Sequence, residues 1–239
     1  MSPSASITNP TYWWYRARSD ILRTVFALHV PAGRVLDVGS ADGPSVSWLD
    51  EMADRLPLDI DPTGLVPPAV CGSLQALPFA DHSFDGVAAF DVIEHMAHDG
   101  AAVREILRVL RPGGVLLATV PSYQWAWTDF DTLQAHHRRY TLRRFTTLLE
   151  REGLSTIRAT YAFTATFPLF ALDRLAARAG LRGYEDPTAS TLPAWLERTL
   201  LKLGAWDSQW LRRVNLPFGS SILVAARKGT GPDQDSTGG

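Results

Sequence analysis

Apolar residues follow two different patterns along this chain, one helical and one typical of buried strands. From Thr11 to Val30 they recur every three or four residues with arginines between them, which predicts an amphipathic helix. The later apolar runs are short, and the run Val115–Val120 shows no polar alternation, as in a strand buried on both faces. We predict strands at residues 35–38, 56–60, 84–90, 115–120, 155–163 and 220–226.

Helices are predicted between these strands, and this alternation predicts parallel pairing through right-handed crossovers. Two or three further helices are expected between Phe167 and Asn215, before the last strand. The tail Gly229–Gly239 has nothing to bury and is predicted to be disordered. The helices between strands are expected at Val46–Met52, Gly100–Leu110 and Thr141–Glu152. We expect one α/β domain over residues 1–228, with a cofactor-binding core at 33–121, an acceptor-side loop and helical insertion at 122–218, and a last strand at 219–227.

Composition and charge narrow the class of protein. The chain has 239 residues, of which 46% are hydrophobic and 20% charged, so one large core can form. A formal net charge of -2 gives no overall attraction for a polyanion, so nucleic acid is not the expected partner. The single cysteine, Cys71, excludes an internal disulfide and a zinc site made of several thiolates, and it suits a reducing compartment.

No segment predicts export or a membrane span. Residues 1–10 lack the basic and apolar regions of a secretory signal. The longest uncharged apolar stretch, between Arg158 and Asp173, is too short to cross a bilayer, although peripheral membrane contact stays open. We expect a cytoplasmic monomer or homodimer.

A glycine-lined turn follows the first strand, in the segment VLDVGSADG at residues 35–43. Such a turn lets a ligand approach the backbone closely. A dinucleotide would need glycine at 39, 41 and 44, but Ala41 and Pro44 stand at two of these positions. Asp37 would repel a pyrophosphate and attract the ammonium and sulfonium groups of S-adenosylmethionine. Asp59, which ends the second strand, is placed to bind ribose hydroxyls, and both kinds of cofactor carry a ribose.

Five motifs in this order make the chain resemble the class I S-adenosylmethionine-dependent methyltransferases, particularly the methyltransferase-11 type. They read VLDVGSADG at 35–43, LDIDP at 58–62, ALPF with SFD at 76–85, DVIEH at 91–95 and LRPGG at 110–114. The resemblance implies a Rossmann-like, doubly wound sheet of seven mostly parallel strands with an antiparallel last strand. It also implies S-adenosyl-L-methionine as cofactor and S-adenosyl-L-homocysteine as product.

The resemblance further implies which residues bind the cofactor. Two departures from the family pattern are Ala41, in place of the usual middle glycine, and Ser73, in place of a frequent aspartate. The implied contacts are Asp37, Gly39, Ser40 and Gly43 for the methionine end, Asp59 and Ile60 for the ribose, Ser73 and Leu74 for the adenine, and Phe90 and Asp91 near the methionine end.

Methyl transfer from a sulfonium requires positioning, and a base where the nucleophile carries a proton. His95 is the first candidate for this base, followed by His136 and His137, although imidazoles also serve as loop and cap hydrogen-bonders. Whether a metal takes part stays open. Asp91, Glu94 and His95 resemble part of the metal-binding pattern of methyltransferases that act on RNA 3′ ends, with His136 or His137 as a distant ligand for a hard divalent ion. Metal-free relatives carry the same Asp-x-x-Glu-His sequence.

A basic and aromatic segment precedes the helix expected at Thr141. The arginines of residues 136–144 lie in a solvated loop and helix start, with Thr141 as N-cap, or they form a clamp that binds a phosphate or carboxylate of the acceptor. Tyr123, Trp125 and Trp127 are expected to stack on a sugar or a flat ring, or to form a lid. We expect an acceptor methylated on O or N, which is a small molecule, a glycan or a glycolipid precursor. The alternatives are an RNA-modifying enzyme and a non-catalytic module of the same fold.

Overall fold

Helices cover both faces of a mixed sheet in this protein. The computed structural model describes residues 12–40, 43–63, 65–181 and 192–230, without the side chain of Pro44. Within these residues, seven strands form the sheet: β1 Arg34–Val38, β2 Asp54–Asp59, β3 Val70–Cys71, β4 Phe84–Phe90, β5 Leu110–Pro121, β6 Leu154–Ala162 and β7 Ser221–Lys228. They lie in the order β3-β2-β1-β4-β5-β7-β6. β1 to β5 pair in parallel, whereas β7 is antiparallel to both β5 and β6.

Helices lie between the strands as the sequence predicts, and the short helix Asp129–Leu133 has no predicted counterpart. The short helix α2, Gly43–Val46, continues as a 3₁₀ helix over Ser47–Glu51, where the sequence predicts one helix to Met52. Thr141 caps α5, Leu142–Arg151, as predicted, since its Oγ1 accepts a hydrogen bond from the Arg144 amide at 3.3 Å. The helices are α1 Trp13–Phe26, α2 Gly43–Val46, α3 Asp99–Val109, α4 Asp129–Leu133, α5 Leu142–Arg151, α6 Phe167–Arg178 and α7 Ala194–Leu211.

Two hydrophobic cores lie on opposite faces of the sheet. Alternate residues of each central strand enter different cores, because successive side chains of a strand point to opposite faces. In β1, Leu36 belongs to the core that also contains residues of α3 and α5, whereas Val35 belongs to the core that contains residues of α1. This two-sided burial explains why the strands read as continuous apolar runs, and it confirms the predicted doubly wound α/β class.

The C-terminal helix α7 packs directly on α1. A Cβ atom placed on Gly204 would lie 2.8 Å from the Cβ of Ala17, so the two helices approach too closely for a side chain there. The sequence expected two or three helices before the last strand, and α6 and α7 lie in that segment. No helix in the described part of the chain is both long enough and apolar enough to span a bilayer.

Three sequence expectations differ from the structure or fall outside it. β3 is too short to leave an apolar pattern and has no counterpart among the six predicted strands. β5 begins at Leu110 rather than Val115, because Leu110 already pairs with Phe84 before an irregularity in register. The disordered tail expected from Gly229 concerns mainly residues 231–239, which lie outside the described residues.

Candidate active site

Left-handed backbone conformations cluster at one edge of the sheet. Gly39, Asp91, Tyr123 and Phe163 have φ angles of 74°, 59°, 61° and 61° and follow the carboxyl ends of β1, β4, β5 and β6. These four strands run in one direction, so their carboxyl ends share an edge. Non-glycine residues seldom adopt this conformation, and those that do gather at functional sites. This edge is the candidate active site.

The turn after β1 leaves room for a ligand. Gly39 must be a glycine, because a Cβ there would lie 2.5 Å from the Val92 Cγ2. Its amide donates to the carbonyl oxygen of Leu58 at 2.8 Å, which fixes the turn between two strands. Among the described residues, a Cβ on Gly43 would meet nothing within 4 Å, so this residue faces open space there. The motif residues Ala41 and Asp42 lie outside the described residues.

Two buried hydroxyl groups line the same turn. The Ser40 and Ser45 Oγ atoms are inaccessible to solvent and have no hydrogen-bond partner among the described residues. Buried polar groups in folded proteins are almost always hydrogen-bonded, so such a hydroxyl indicates a partner outside the described residues. Open space beside Gly43 and these hydroxyls fit the methionine end of S-adenosylmethionine.

Asp37 is not the free carboxylate that the sequence analysis assumes. It is 2% exposed, and its Oδ2 accepts a hydrogen bond from the Arg55 Nη1 at 2.9 Å. Burial raises the pKa of Asp37 to about 6, although the Arg55 guanidinium opposes this shift. The attraction of Asp37 for a cationic ligand is therefore offset by Arg55, a residue that the strand pattern gave no reason to select.

The predicted ribose and adenine residues lie around the end of β2. Asp59 Oδ1 accepts the Asp61 amide at 2.9 Å, and the Asp59 carbonyl accepts the Gly72 amide at 2.8 Å. This second bond holds the loop of Ser73 beside β2. The Ile60 side chain is 67% exposed, and the Leu74 side chain lies in the core. Asp59, Ile60 and Ser73 thus reach this edge of the sheet. Leu74 reaches it with its backbone only, because its side chain lies in the core.

Phe90 and Asp91 differ in where their side chains point. The Phe90 ring is buried and stacks on Phe26 of α1, with 5.5 Å between ring centroids, so its side chain lies in the core. The Asp91 carboxylate accepts a hydrogen bond from the buried Arg18 of α1 at 2.8 Å. Arg18 could not be selected from the sequence, because an arginine in an amphipathic helix is expected on its exposed face.

Two of the three candidate histidines meet at this edge. His95 and His136 have ring centroids 4.7 Å apart in an edge-to-face arrangement. Burial, and then His136, lower the pKa of His95 below its ordinary value. The His137 ring is exposed, but its amide donates to the Glu94 carbonyl at 2.8 Å and so ties the two segments together. The structure therefore brings His95 and His136 together, and not the ring of His137.

Asp131 orients His136. The His136 Nδ1 lies 2.9 Å from Asp131 Oδ1, which also accepts the Arg139 Nε at 2.7 Å. Although burial raises it, hydrogen bonds from His136 and Arg139 bring the pKa of Asp131 below its ordinary value. An ionised Asp131 favours a proton on His136 Nδ1, which leaves Nε2 with a free electron pair. Asp131 could not be selected from the sequence, since no local pattern pairs it with His136.

Two of the four arginines at residues 136–144 pair with carboxylates of the protein, whereas Arg143 and Arg144 are exposed. Arg138 pairs with Asp99 at 2.8 Å, and Arg139 is buried against Asp131. These two residues position the loop rather than face an acceptor. Nearby, Tyr123 stacks between Trp125 and Tyr161, with centroid distances of 5.9 and 5.5 Å, and Trp125 is 38% exposed. Trp125, which follows the carboxyl end of β5, therefore presents part of an aromatic surface to solvent.

Comparisons with known proteins agree with this geometry. Residues 36–118 match a family model described as a methyltransferase domain. A "probable S-adenosylmethionine-dependent methyltransferase" of Mycolicibacterium smegmatis is 33% identical over 153 residues, 59% of this chain and 59% of that protein. A demethylmenaquinone methyltransferase of Beutenbergia cavernae is 34% identical over 130 residues, 50% of this chain and 51% of that protein. The chain thus spans between half and three fifths of the length of these relatives.

Solved structures share the fold. Phosphoethanolamine N-methyltransferase 2 of Haemonchus contortus, in complex with S-adenosyl-L-methionine, superposes with a TM-score of 0.56 at 17% identity. The superposition covers 91% of this chain and 56% of that one. At this identity the likeness concerns the fold.

Proposed function

We propose that this chain, whose residues 36–118 form a class I S-adenosylmethionine-dependent methyltransferase domain, methylates an acceptor held over His95 and His136. The observation that carries the proposal is the closeness of the cofactor turn to the histidines. Gly39 lies against Val92, three residues before His95, so a ligand in the turn and an acceptor at the imidazoles are neighbours. Proximity of this kind is the main requirement for an in-line transfer.

The cofactor contacts follow from the positions of the predicted residues. In this proposal Asp37, Gly39, Ser40, Gly43 and Asp91 surround the methionine end, and the backbone of Phe90 borders it. Asp59 and Ile60 hold the ribose, and Ser73 with the backbone of Leu74 borders the adenine. When bound, S-adenosylmethionine supplies a methyl group on a positively charged sulfur. Ser40 and Ser45 contribute the buried hydroxyls that the cofactor's polar groups satisfy.

The chain's own chemistry concerns the acceptor's proton. His95 and His136 lie where a nucleophile must approach, and a neutral imidazole accepts a proton from an oxygen or nitrogen nucleophile. We therefore infer an acceptor methylated on O or N, namely a small molecule, a glycan or a glycolipid precursor. The net charge of -2 argues against RNA.

A second candidate acceptor is a ring carbon of a quinol. Relatives include demethylmenaquinone methyltransferases and ubiquinone/menaquinone C-methyltransferases. The exposed part of Trp125, next to Tyr123, offers a flat apolar surface suited to such a ring. In this alternative the base removes the phenolic proton rather than the proton of an aliphatic nucleophile.

Incubation with cofactor labelled in the methyl group tests the proposal. The purified chain is mixed with pools of glycans, glycolipids, quinols and small metabolites, and the labelled product is identified by mass spectrometry and nuclear magnetic resonance. We expect transfer by the native chain and none by His95→Ala. Labelling on oxygen or nitrogen supports the first acceptor class, and labelling on carbon supports the second. Binding of S-adenosylhomocysteine without transfer to any pool would indicate a non-catalytic module and overturn the proposal.

A further inference from the structure

Glu94 buries an unpaired carboxyl group beside the two histidines. Its side chain is 0% exposed, and neither carboxyl oxygen has a hydrogen-bond partner among the described residues. Burial of an unpaired polar group costs several kcal/mol, so such groups are rare in folded proteins. Burial and the Asp91 carboxylate raise the pKa of Glu94 well above its ordinary value, against the pull of its own amide and of Arg18 and Arg139.

The arginines near Glu94 are paired with other carboxylates. Arg18 binds Asp91 at 2.8 Å, and Arg139 binds Asp131 at 2.7 Å. The partner of the Glu94 carboxyl group is therefore not found among the described residues.

Three side chains converge on one point at this place. Glu94, His95 and His136 each offer one ligand atom, and these atoms lie within 4.8 Å of one another. Ligands at about 2.1 Å from a common ion stand roughly 3.4 Å apart in a tetrahedral site, so small side-chain rotations close the set. The residues come from the end of β4 and from the loop before α5, and the His137 amide joins these segments.

His136 is supported in the way that metal ligands usually are. Its Nδ1 is bound to Asp131, so its Nε2 is the available ligand atom. The backbone of Gln134 and Ala135 lies near the His95 ring. A carboxylate or carbonyl behind each ligating histidine fixes its tautomer and raises its basicity.

We propose that Glu94, His95 and His136 bind one divalent transition-metal ion, of the Zn²⁺ or Mn²⁺ class. Two imidazoles and one carboxylate favour such an ion over Mg²⁺ or Ca²⁺, which prefer oxygen ligands. These three ligands differ from the metal-binding pattern considered from the sequence, in which Asp91 was a ligand and the ion was a hard divalent ion. Asp91 is held by Arg18 and stays outside the set.

The consequence for catalysis rests on the proposed function, whereas ion binding does not. Three protein ligands leave coordination positions for an acceptor oxygen, and a metal-bound hydroxyl releases its proton more readily. The proton passes to solvent, the oxygen's electron pair forms the bond to the methyl carbon, and the electrons of the carbon–sulfur bond go to sulfur. The histidines then act as ligands, and activation by the ion replaces direct proton abstraction by His95.

Calorimetry on the metal-stripped full chain tests the inference, with ZnCl₂, MnCl₂ and MgCl₂ as separate titrants. We expect one Zn²⁺ or Mn²⁺ per chain, and weaker binding of Mg²⁺. Glu94→Gln and His136→Ala are expected to weaken binding at least tenfold, and Asp131→Asn by about 10- to 100-fold. The matched control is His98→Ala, because His98 is exposed and lies three residues beyond His95; its affinity should equal that of the native chain.

The outcomes are separable. Absence of binding to the native chain, or equal binding by the native chain, Glu94→Gln and His136→Ala, overturns the inference. Glu94→Gln preserves the shape of the side chain, so it should fold as the native chain does. The absorption spectrum of Co²⁺ bound to the native chain gives a second readout that needs no variant. A spectrum that shows no nitrogen ligands would also overturn the inference. Methyl transfer by the metal-stripped chain, unchanged on adding Zn²⁺ or Mn²⁺, would defeat the role of the ion in catalysis. Zn²⁺ or Mn²⁺ binding without binding of S-adenosylhomocysteine would defeat the proposed function alone.

Discussion

Arg55 of β2 reaches across to Asp37 of β1, with 2.9 Å between Nη1 and Oδ2. The same guanidinium binds both oxygens of Asp50, through Nε at 2.6 Å and Nη2 at 3.0 Å. One arginine thus holds the acidic residue of the first motif and the end of the following 3₁₀ helix. Asp37 is thereby fixed in place beside the cofactor turn.

Removal of Arg55 should destabilise the protein through Asp37. Arg55→Gln leaves a buried carboxylate without a cation, which typically costs about 3–5 kcal/mol of unfolding free energy. Urea unfolding at pH 8 measures the loss. The double variant Arg55→Gln with Asp37→Asn should recover part of it, because no charge is then left buried. Equal stability of the single and double variants would contradict this account.

The buried Asp37 should also make stability depend on pH. Its pKa of about 6 in the folded chain lies above the value of 3.8 for the free side chain, so the folded state binds the proton more tightly. This contribution is complete below pH 3.8 and is lost as the pH rises through 6. Relative to Asp37→Asn, the native chain should lose on the order of 3 kcal/mol of unfolding free energy between pH 4 and pH 7. A difference that stays constant over this range would exclude the raised pKa.

Two glycine substitutions should separate folding from cofactor binding. Gly43→Ala places a methyl group in open space, so we expect unchanged thermal stability and at least tenfold weaker binding of S-adenosylhomocysteine. Gly39→Ala forces a Cβ against Val92 at a φ of 74°, and should cost about 1–3 kcal/mol of stability as well as binding. Thermal unfolding and calorimetry measure the two effects. Undiminished binding by Gly43→Ala would show that the cofactor lies elsewhere.

Loss of His95 should affect turnover rather than cofactor binding. His95→Ala is expected to keep its affinity for S-adenosylhomocysteine and to lose about 10²- to 10⁴-fold in kcat, the usual contribution of a positioned acid–base or activating group. His98 is exposed and close in sequence, so His98→Ala should keep both the affinity for S-adenosylhomocysteine and the native kcat. The measurement is transfer of the labelled methyl group to whichever acceptor the pool experiment identifies. Full activity of His95→Ala would remove His95 from the mechanism.

The sequence by itself determined the fold class and the position of the glycine turn after β1. Apolar runs without alternation, separated by helical patterns, predicted the doubly wound sheet, and β4 has the predicted bounds Phe84–Phe90. Gly39 and Gly43 could be selected from the sequence because they lie in one local turn after an apolar strand. β3 escaped prediction, since a two-residue strand leaves no periodicity.

Only the tertiary structure decided how the charged and titratable groups are paired. Arg55 on Asp37, Arg18 on Asp91 and Asp131 on His136 join residues that no local pattern relates. The meeting of His95 with His136, and the unpaired burial of Glu94 beside them, depend on how the loop before α5 folds over the end of β4. Periodicity along a chain reports which face of an element is buried, whereas the partner of a buried charge is set by elements that pack from elsewhere.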